Sequence, residues 1–279
     1  MAHIITVPAF SDNYIWLICD DKKEYGVIVD PGDPRNLITI LEKNEIQPIA
    51  IILTHLHFDH ANGLAKLHEI YSDIPVYGPE SEYNLLKNNP HPPTYGPATN
   101  CFSYVTHPLK GDEKLNFEKI ACSFQLMNIP GHTSGHIAYY DSEHGNLFCG
   151  DTMFAGGCGR IFDGTFKELH DSLQKIAELP EDTLIHCAHE YTLDNLGFAK
   201  WVEPDSDAVL AREEADRALI DSDRATVPSL LSLELETNPF MRTHLPHVAK
   251  RVAKETGKIL NNSTEVFAAM RTWKDLEYD

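Results

Sequence analysis

Four potential metal ligands stand within six residues of one another, directly after an apolar run at residues 49–53: His55, His57, Asp59 and His60. Such a run reads as a strand buried on both faces, and α/β proteins tend to bind ligands at the carboxyl ends of strands. The first three ligands alternate, so an extended backbone would point them the same way. Because four donors this close fit poorly around one ion, the cluster predicts two metal ions side by side, with ordinary surface histidines as the alternative.

Three further apolar runs each end in one more potential ligand: His132, Asp151 and His189. A glycine or small residue beside each of them lets the backbone approach closely. The full set of five imidazoles and two carboxylates suits a dinuclear centre with an Asp bridge and room for a water or hydroxide. Such a site is a Lewis acid with a built-in nucleophile. Since the set contains no thiolate, its N and O donors favour zinc, iron or manganese.

An α/β domain over residues 1–190 must position these ligands. Short strands alternate there with amphipathic helices, including strands expected near 101–107, 120–129, 136–141 and 146–150. From about residue 191 the sequence pattern changes. No convincing strand appears, and apolar residues recur at helical spacing among acidic ones. Helices are predicted at 208–221, 229–236, 246–256 and 264–276. We therefore expect a helical second domain over residues 191–279.

Bulk composition excludes several classes of protein. No stretch approaches the roughly 18 apolar residues of a membrane span, so we expect no membrane partner. The N-terminus lacks the basic start and cleavage site of a signal peptide, which predicts a cytoplasmic protein. Six cysteines are scattered without CxxC pairs, which favours buried thiols. A net charge of −19 argues against a nucleic-acid surface. We expect a monomer.

Four motifs in the first 190 residues resemble the metallo-β-lactamase superfamily: THLHFDH, GHTSGH, GDTMFAGGCGR and HEYT. Taken together, GCGR, HEYT and NPFMR narrow the resemblance to glyoxalase II, the hydroxyacylglutathione hydrolases. Three segments of the tail resemble the C-terminal domain of that family: TVPS, NPFMR and EVFAAMRTWKD. The resemblance spans nearly the whole chain and implies an αββα four-layer sandwich followed by a smaller all-helical domain. HxHxDH alone identifies only the superfamily.

This resemblance also implies how the ligands divide between two divalent ions. One ion would take His55, His57 and His132. The other would take Asp59, His60 and His189, with Asp151 bridging the two. Zinc is the expected metal, with iron or manganese as alternatives.

A glutathione thioester would, on the same resemblance, lie across the domain junction. Arg160 and Tyr191 would touch the glutathione moiety, and Arg242 would hold its glycine carboxylate, a task suited to a guanidinium fork. Phe162 stands where some members carry Tyr, which removes a hydroxyl donor. Some members also have a second basic residue shortly after the NPFMR arginine, whereas here the next one is Lys250. From the residues alone, Arg242 could instead form a salt bridge within the acidic tail.

The implied activity is hydrolysis of S-(2-hydroxyacyl)glutathione, with S-lactoylglutathione as the expected substrate, in methylglyoxal degradation. The metals would lower the pKa of a bridging water, and Asp59 would orient the hydroxide and accept its proton. A thiol with a pKa of about 8.5 leaves readily as thiolate, so no general acid is required. A nuclease, a persulfide dioxygenase and a non-catalytic metal-binding protein are the alternatives. The charge of −19 opposes the first, and the extra ligands and helical tail oppose the second.

Overall fold

The computed structural model of the chain describes residues 3–89, 93–96 and 100–278. These residues form two compact units. Unit 1 consists of Met1–Asn128 and Thr133–Gly150, and unit 2 of Ile129–His132 and Asp151–Asp279. No helix in the described ranges combines the length and the hydropathy of a membrane span.

Unit 1 contains a six-stranded sheet, sheet A, whose strand order follows the chain. Its strands are β1 (His3–Ala9), β2 (Asn13–Cys19), β3 (Tyr25–Val29), β4 (Gln47–Ile52), β5 (Val76–Pro79) and β6 (His107–Leu109). The first three pair antiparallel, and the last four pair parallel. Parallel strands need covered faces, and accordingly the apolar end of β4 is fully buried. The parallel strands bring their carboxyl ends to one edge of the sheet.

Helices cover one face of sheet A. They are α1 (Arg35–Lys43), the four-residue α2 (Phe58–Ala61), α3 (Leu64–Ile70) and α4 (Glu80–Asn88). Leu37 and Leu41 of α1 recur at helical spacing and join one buried cluster with Leu17 and Ile28 from the strands. This packing agrees with the amphipathic helices that the sequence predicts for the first domain.

Four antiparallel strands face sheet A from the other side. They are β7 (Lys114–Phe117), β8 (Cys122–Asn128), β9 (Ile137–Asp141) and β10 (Asn146–Gly150). An aromatic layer joins them to sheet A, since the Trp16 ring lies 6.4 Å from Phe148, which lies 6.0 Å from Phe124. The strand expected near 101–107 was wrong: Cys101–Tyr104 is a 3₁₀ turn, and β6 begins only at His107.

Unit 2 starts with a two-stranded hairpin and continues mainly as helices. It contains β11 (Met153–Phe154), β12 (Gly157–Cys158), α5 (Phe166–Ala177), β13 (Leu184–Cys187), α6 (Thr192–Val202), α7 (Asp207–Ile220), β14 (Ser229–Leu230), α8 (Leu231–Thr237), α9 (Pro246–Thr256) and α10 (Ser263–Trp273). Two differences from the sequence expectation appear. Helix α6 was not predicted, because Asp194, Asn195 and Gly197 interrupt its apolar pattern. The expectation of no strand after residue 191 was wrong, since β14 pairs antiparallel with β13.

Side chains from the helices of unit 2 hold the β11–β12 hairpin through its backbone. Asn195 of α6 donates to the carbonyl of Ala155 at 3.1 Å, and Arg271 of α10 donates to the carbonyl of Cys158 at 3.2 Å. Asn238 donates to the carbonyl of Gly157 at 2.9 Å. Hairpin residues 153–158 are buried, so these bonds satisfy backbone groups that water does not reach.

Glu234 of α8 joins the same hairpin to a buried ion pair. One carboxylate oxygen accepts from the backbone N–H of Gly156 at 2.9 Å. The other accepts from Arg212 of α7 at 2.6 Å and from the Ser229 hydroxyl at 2.7 Å. Glu234 is 0% exposed and Arg212 only 4% exposed. A buried pair of this kind costs little while intact and destabilises strongly when one partner is lost.

Removing the charge of Glu234 is therefore expected to destabilise the chain. Glu234→Gln should lower the free energy of unfolding by about 1.5–3 kcal/mol, because it removes the charge from the shorter of the two carboxylate contacts of the buried Arg212 guanidinium and leaves Asp216, at 3.2 Å, as its charged partner. Urea denaturation followed by circular dichroism measures this. Glu236→Gln, at an exposed position on the same helix, should stay within about 0.5 kcal/mol of the wild type. Equal stabilities of the two variants would refute the expectation.

Candidate metal centre

The THLHFDH segment places four predicted ligands together in unit 1, just after β4. His55 and His57 lie in the loop, while Asp59 and His60 belong to α2. The His55 ring lies 4.6 Å from His57 and 4.0 Å from His60. All three imidazoles are buried, and the Asp59 side chain is 36% exposed. The expectation of an extended backbone through Asp59 was wrong, because α2 begins at Phe58 and turns this carboxylate with the helix.

Asp30 lies behind this cluster and was missed by the sequence analysis as a site residue. It follows β3 and is 3% exposed. Its carboxylate accepts from the backbone N–H of Thr54 at 2.8 Å, from the Thr54 hydroxyl at 2.7 Å and from His60 Nδ1 at 3.0 Å. A buried Asp that ends an apolar strand on the same sheet edge was the available signal.

These contacts determine which nitrogen of His55 and of His60 carries the proton. Because the Thr54 hydroxyl gives its proton to Asp30, the 3.0 Å contact to His55 requires Nδ1 of that ring to be the donor. His60 likewise donates from Nδ1 to Asp30. In both rings Nε2 is then the unprotonated nitrogen, which is the form that ligates a metal. Atoms of Asp30, His55 and His60 lie within 4.8 Å of one another.

Asp59 is held by a residue from β2, whose first residues lie at the same edge of sheet A as the carboxyl end of β3. Asn13 at the start of β2 donates from Nδ2 to Asp59 Oδ2 at 3.0 Å. The same oxygen lies 3.5 Å from His60 Nε2. The backbone of Asp59 packs directly against Gly32, where a Cβ would stand 1.7 Å from the Asp59 carbonyl oxygen, so only glycine fits at position 32.

His132, Asp151 and His189 lie together in unit 2. The two carboxylate oxygens of Asp151 face different imidazoles: Oδ2 lies 3.4 Å from His132 Nε2, and Oδ1 lies 3.5 Å from His189 Nε2. His132 donates from Nδ1 to the carbonyl of Arg160 at 2.7 Å, which leaves Nε2 as its ligand atom. Asp151 is thus arranged as a bridging carboxylate would be.

The donor distances fit metal coordination better than direct hydrogen bonding. Two donors bound to one tetrahedral ion at about 2.1 Å stand about 3.4 Å apart, whereas N–H···O bonds span about 2.7–3.2 Å. The three Nε2–carboxylate distances are 3.4–3.5 Å. Burial raises the pKa of Cys158 to about 11 and of Cys187 to about 12. In the part of the chain that the structure describes, the clusters of potential ligand atoms contain His and Asp and no Cys. The residues therefore fit divalent ions with N and O ligands.

Two of the predicted substrate contacts border the ligands of unit 2. The Phe162 ring lies 5.1 Å from the His132 ring, and its backbone N–H donates to the His132 carbonyl at 2.9 Å. Tyr191 stacks on His189 with ring centroids 4.7 Å apart and planes 13° apart. Phe162 is 47% exposed and Tyr191 36% exposed, so both can meet a ligand. Arg160 is an exposed residue, and its backbone carbonyl accepts the hydrogen bond from His132 Nδ1.

Arg242 lies in the helical part of unit 2 and pairs with an acidic residue, as the alternative interpretation expected. Its Nε and one terminal nitrogen donate to the Glu203 carboxylate at 2.8 and 2.9 Å, and the other terminal nitrogen donates to the Leu235 carbonyl at 3.2 Å. His247 contacts the same carboxylate at 2.6 Å. Burial opposes ionisation of Glu203, but the bonds from Arg242 and His247 prevail and hold its pKa below the usual value.

Comparison with known proteins places this arrangement in a family. Residues 10–189 match the family model of the metallo-β-lactamase superfamily, and residues 190–276 match that of the hydroxyacylglutathione hydrolase C-terminus. The hydroxyacylglutathione hydrolase of Nitrosomonas eutropha is 40% identical over 275 residues, with 99% of each chain covered. That of Aeromonas salmonicida is 42% identical over 276 residues, with 99% of this chain and 100% of the relative covered.

Solved structures agree with these matches. The B3 metallo-β-lactamase BLEG-1 has a TM-score of 0.65 at 26% identity, over 86% of this chain and 99% of that one. TTHA1623 in a di-iron-bound form has a TM-score of 0.60 at 27% identity, over 85% and 99%. The comparisons confirm the expected αββα fold with a helical C-terminal part, and they favour the hydrolase over the nuclease and the persulfide dioxygenase.

Asp30→Asn is expected to weaken metal binding while the chain still folds. Asn tolerates the positive φ of 51° at this position, but it offers one acceptor oxygen where three donors converge. Affinity for divalent metal should fall about 10–100-fold, as for other residues that orient metal ligands. Competition with a chromophoric chelator measures this, with Asp33→Asn as the control. Unchanged affinity would show that Asp30 does not orient the ligands.

The Glu203 carboxylate is expected to stabilise the chain in a pH-dependent way. A folded-state pKa below the unfolded one gives stability that is present above the unfolded pKa, about 4.3, and is lost as the pH falls through the folded value. Glu203→Gln should therefore lower the free energy of unfolding at pH 7 by about 1.5–3 kcal/mol. Urea denaturation at pH 7 and below pH 4 should show the deficit shrinking in acid. A deficit that is constant with pH would contradict the assignment.

Proposed function

We propose that this chain, which belongs to the hydroxyacylglutathione hydrolases of the metallo-β-lactamase superfamily, cleaves S-(2-hydroxyacyl)glutathione thioesters to a 2-hydroxy acid and glutathione. The observation that carries this proposal is the full-length match to relatives of that name, the helical C-terminal part included. S-lactoylglutathione, with lactate as the product, is the proposed substrate, and methylglyoxal degradation the proposed setting.

Two divalent ions are proposed, held by the seven predicted ligands. His55, His57 and His132 would hold one ion, Asp59, His60 and His189 would hold the other, and Asp151 would serve both. Support comes from the Nδ1 hydrogen bonds of His55, His60 and His132. Asp151 adds to it, because its two carboxylate oxygens lie near different imidazoles. Zinc suits this donor set, and iron and manganese are the alternatives. Iron is supported by the related TTHA1623, which is described in a di-iron-bound form.

The chemistry divides between the ions and the chain. When bound, the ions polarise the thioester carbonyl and supply hydroxide at neutral pH. Asp59, with its 36% exposed side chain steadied by Asn13, orients the nucleophile and accepts its proton. The leaving thiolate, with a pKa of about 8.5, needs no general acid.

Four residues of unit 2 are proposed to bind the glutathione moiety: Arg160, Phe162, Tyr191 and Arg242. Tyr191 offers an exposed edge and a hydroxyl beside His189, and Phe162 offers an apolar surface beside His132. Arg242 is proposed to hold the glycine carboxylate. Because Glu203 occupies one edge of its guanidinium, the substrate would bind through the remaining N–H groups. Shared use of this arginine predicts weaker glutathione binding than a free fork would give.

Three further assignments belong to the proposal. Residues 1–190 form the catalytic domain, and residues 191–279 form the substrate-binding domain. The protein works in the cytoplasm, which the six buried cysteines support, since none of them forms a disulfide. It works as a monomer without nucleic-acid or membrane partners, which analytical ultracentrifugation of the purified chain would check.

A steady-state assay tests the function and the role of Arg242 together. Metal-loaded wild type should hydrolyse S-lactoylglutathione and lose this activity with a chelator. Arg242→Ala should raise KM about 10–100-fold with a smaller change in kcat, because a charge-assisted contact to the substrate is lost. Arg217→Ala, which changes an exposed arginine on α7, is the control. Wild type without chelator-sensitive turnover would refute the hydrolase, and an unchanged KM in Arg242→Ala would remove only that contact.

A further inference from the structure

Glu82 is a buried carboxylate that neither the ligand set nor the substrate contacts include. It lies in the first turn of α4 and is 1% exposed. Burying an ionised carboxylate is costly unless hydrogen bonds or nearby positive charge offset the lost hydration. The N-terminal end of α4 supplies some of that offset, since helix N-termini favour negative charge. The contacts of Glu82 must therefore account for the desolvation cost of burying its carboxylate.

The two oxygens of Glu82 bind two different ligand-bearing loops. Oε2 accepts from the backbone N–H of Leu56 at 2.6 Å, and Oε1 accepts from the hydroxyl of Thr133 in a short hydrogen bond. Leu56 separates His55 from His57 in the chain, and Thr133 directly follows His132. One carboxylate thus links the THLHFDH loop to the start of the TSGH segment, at sequence separations of 26 and 51 residues.

Close packing around Glu82 leaves the linked segments little freedom. A Cβ on Gly135 would stand 2.3 Å from Ser81 Oγ and 2.5 Å from Glu82 Cγ, so residue 135 reaches α4 only as glycine. His136, the next residue, stacks on the His55 ring with centroids 4.6 Å apart and planes 23° apart. The first turn of α4, residues 133–136 and the loop at 55–57 therefore pack as one body within unit 1.

We propose that Glu82 is a positioning residue that holds these two loops in register and thereby determines the affinity of the centre for divalent metal. This inference rests on the ligand set of the proposed function. Glu82 acts on geometry by fixing the Leu56 amide and the Thr133 hydroxyl. It also acts through charge, because a buried carboxylate behind the loops favours cations over an empty site.

Matched variants separate these contributions. Glu82→Met keeps the side-chain volume but removes both acceptors, and Glu82→Gln can still accept from Leu56 and donate to Thr133. Thr133→Val removes one hydroxyl from a nearly isosteric side chain, and Thr133→Ser restores it. Glu80→Gln removes the same charge two residues earlier on α4 and is the control.

Metal affinity of the folded protein is the main readout, measured by competition of Zn²⁺ with a chromophoric chelator. We expect Glu82→Met to weaken binding about 10–100-fold and Thr133→Val to weaken it less. Glu82→Gln should fall between Glu82→Met and the wild type, and Thr133→Ser and Glu80→Gln should match the wild type. Circular dichroism of the metal-free proteins shows which variants fold. If Glu82→Met does not fold, the contrast of Thr133→Val with Thr133→Ser decides.

The outcomes distinguish this proposal from the proposed function. Wild-type affinity in folded Glu82→Met would overturn the positioning role and leave the hydrolase intact. The same holds if the variants lower only the thermal midpoint of the metal-free chain, because a purely structural residue does that. A wild-type protein that binds none of Zn²⁺, Fe²⁺ and Mn²⁺ would overturn both proposals.

Discussion

The candidate centre depends on fixing the proton on Nδ1 in three of its buried imidazoles, those of His55, His60 and His132. A neutral imidazole has one nitrogen available to a metal, and the partner of the other nitrogen decides which one it is. Here the partners are the Asp30 carboxylate for His60, the Thr54 hydroxyl for His55 and the Arg160 carbonyl for His132. Each partner is an oxygen held by the fold, so ring orientation and tautomer are set before any metal arrives.

The same arrangement concentrates negative charge where water is scarce. Asp30, Glu82 and Asp151 are 3%, 1% and 6% exposed. Buried carboxylates weaken a fold unless hydrogen bonds and positive charge offset their desolvation. Backbone N–H groups and hydroxyls supply part of that offset in unit 1. Divalent cations would supply the rest. The buried carboxylates that lower the stability of the metal-free protein therefore also raise its affinity for divalent metal, and metal binding becomes coupled to folding stability.

The candidate ligands stood out in the sequence because they follow four apolar runs. The structure brings His55, His57, Asp59 and His60 together in unit 1 and His132, Asp151 and His189 together in unit 2. Asp30 and Glu82 were not predicted, since their partners lie 24 to 51 residues away. For Asp30 the local signal was its place at the end of an apolar strand, whereas only tertiary packing reveals the role of Glu82. Local signals also misled. The alternation of His55, His57 and Asp59 suggested an extended chain, but a short helix intervenes. Helix α6 was not predicted, because it is buried on most sides and its sequence therefore lacks the polar face of an amphipathic helix.

The hairpin after Asp151 shows why the helical part of the chain matters beyond substrate contacts. Its backbone partners are Asn195, Glu234, Asn238 and Arg271, all of which lie after residue 190. Without them, buried N–H and carbonyl groups between Asp151 and Arg160 would lack partners, at about 1–3 kcal/mol for each group. Asp151 precedes the hairpin, and the carbonyl of Arg160, which follows it, accepts from His132. A disturbed hairpin would therefore displace the candidate ligands Asp151 and His132. The helices are therefore part of what shapes this half of the centre.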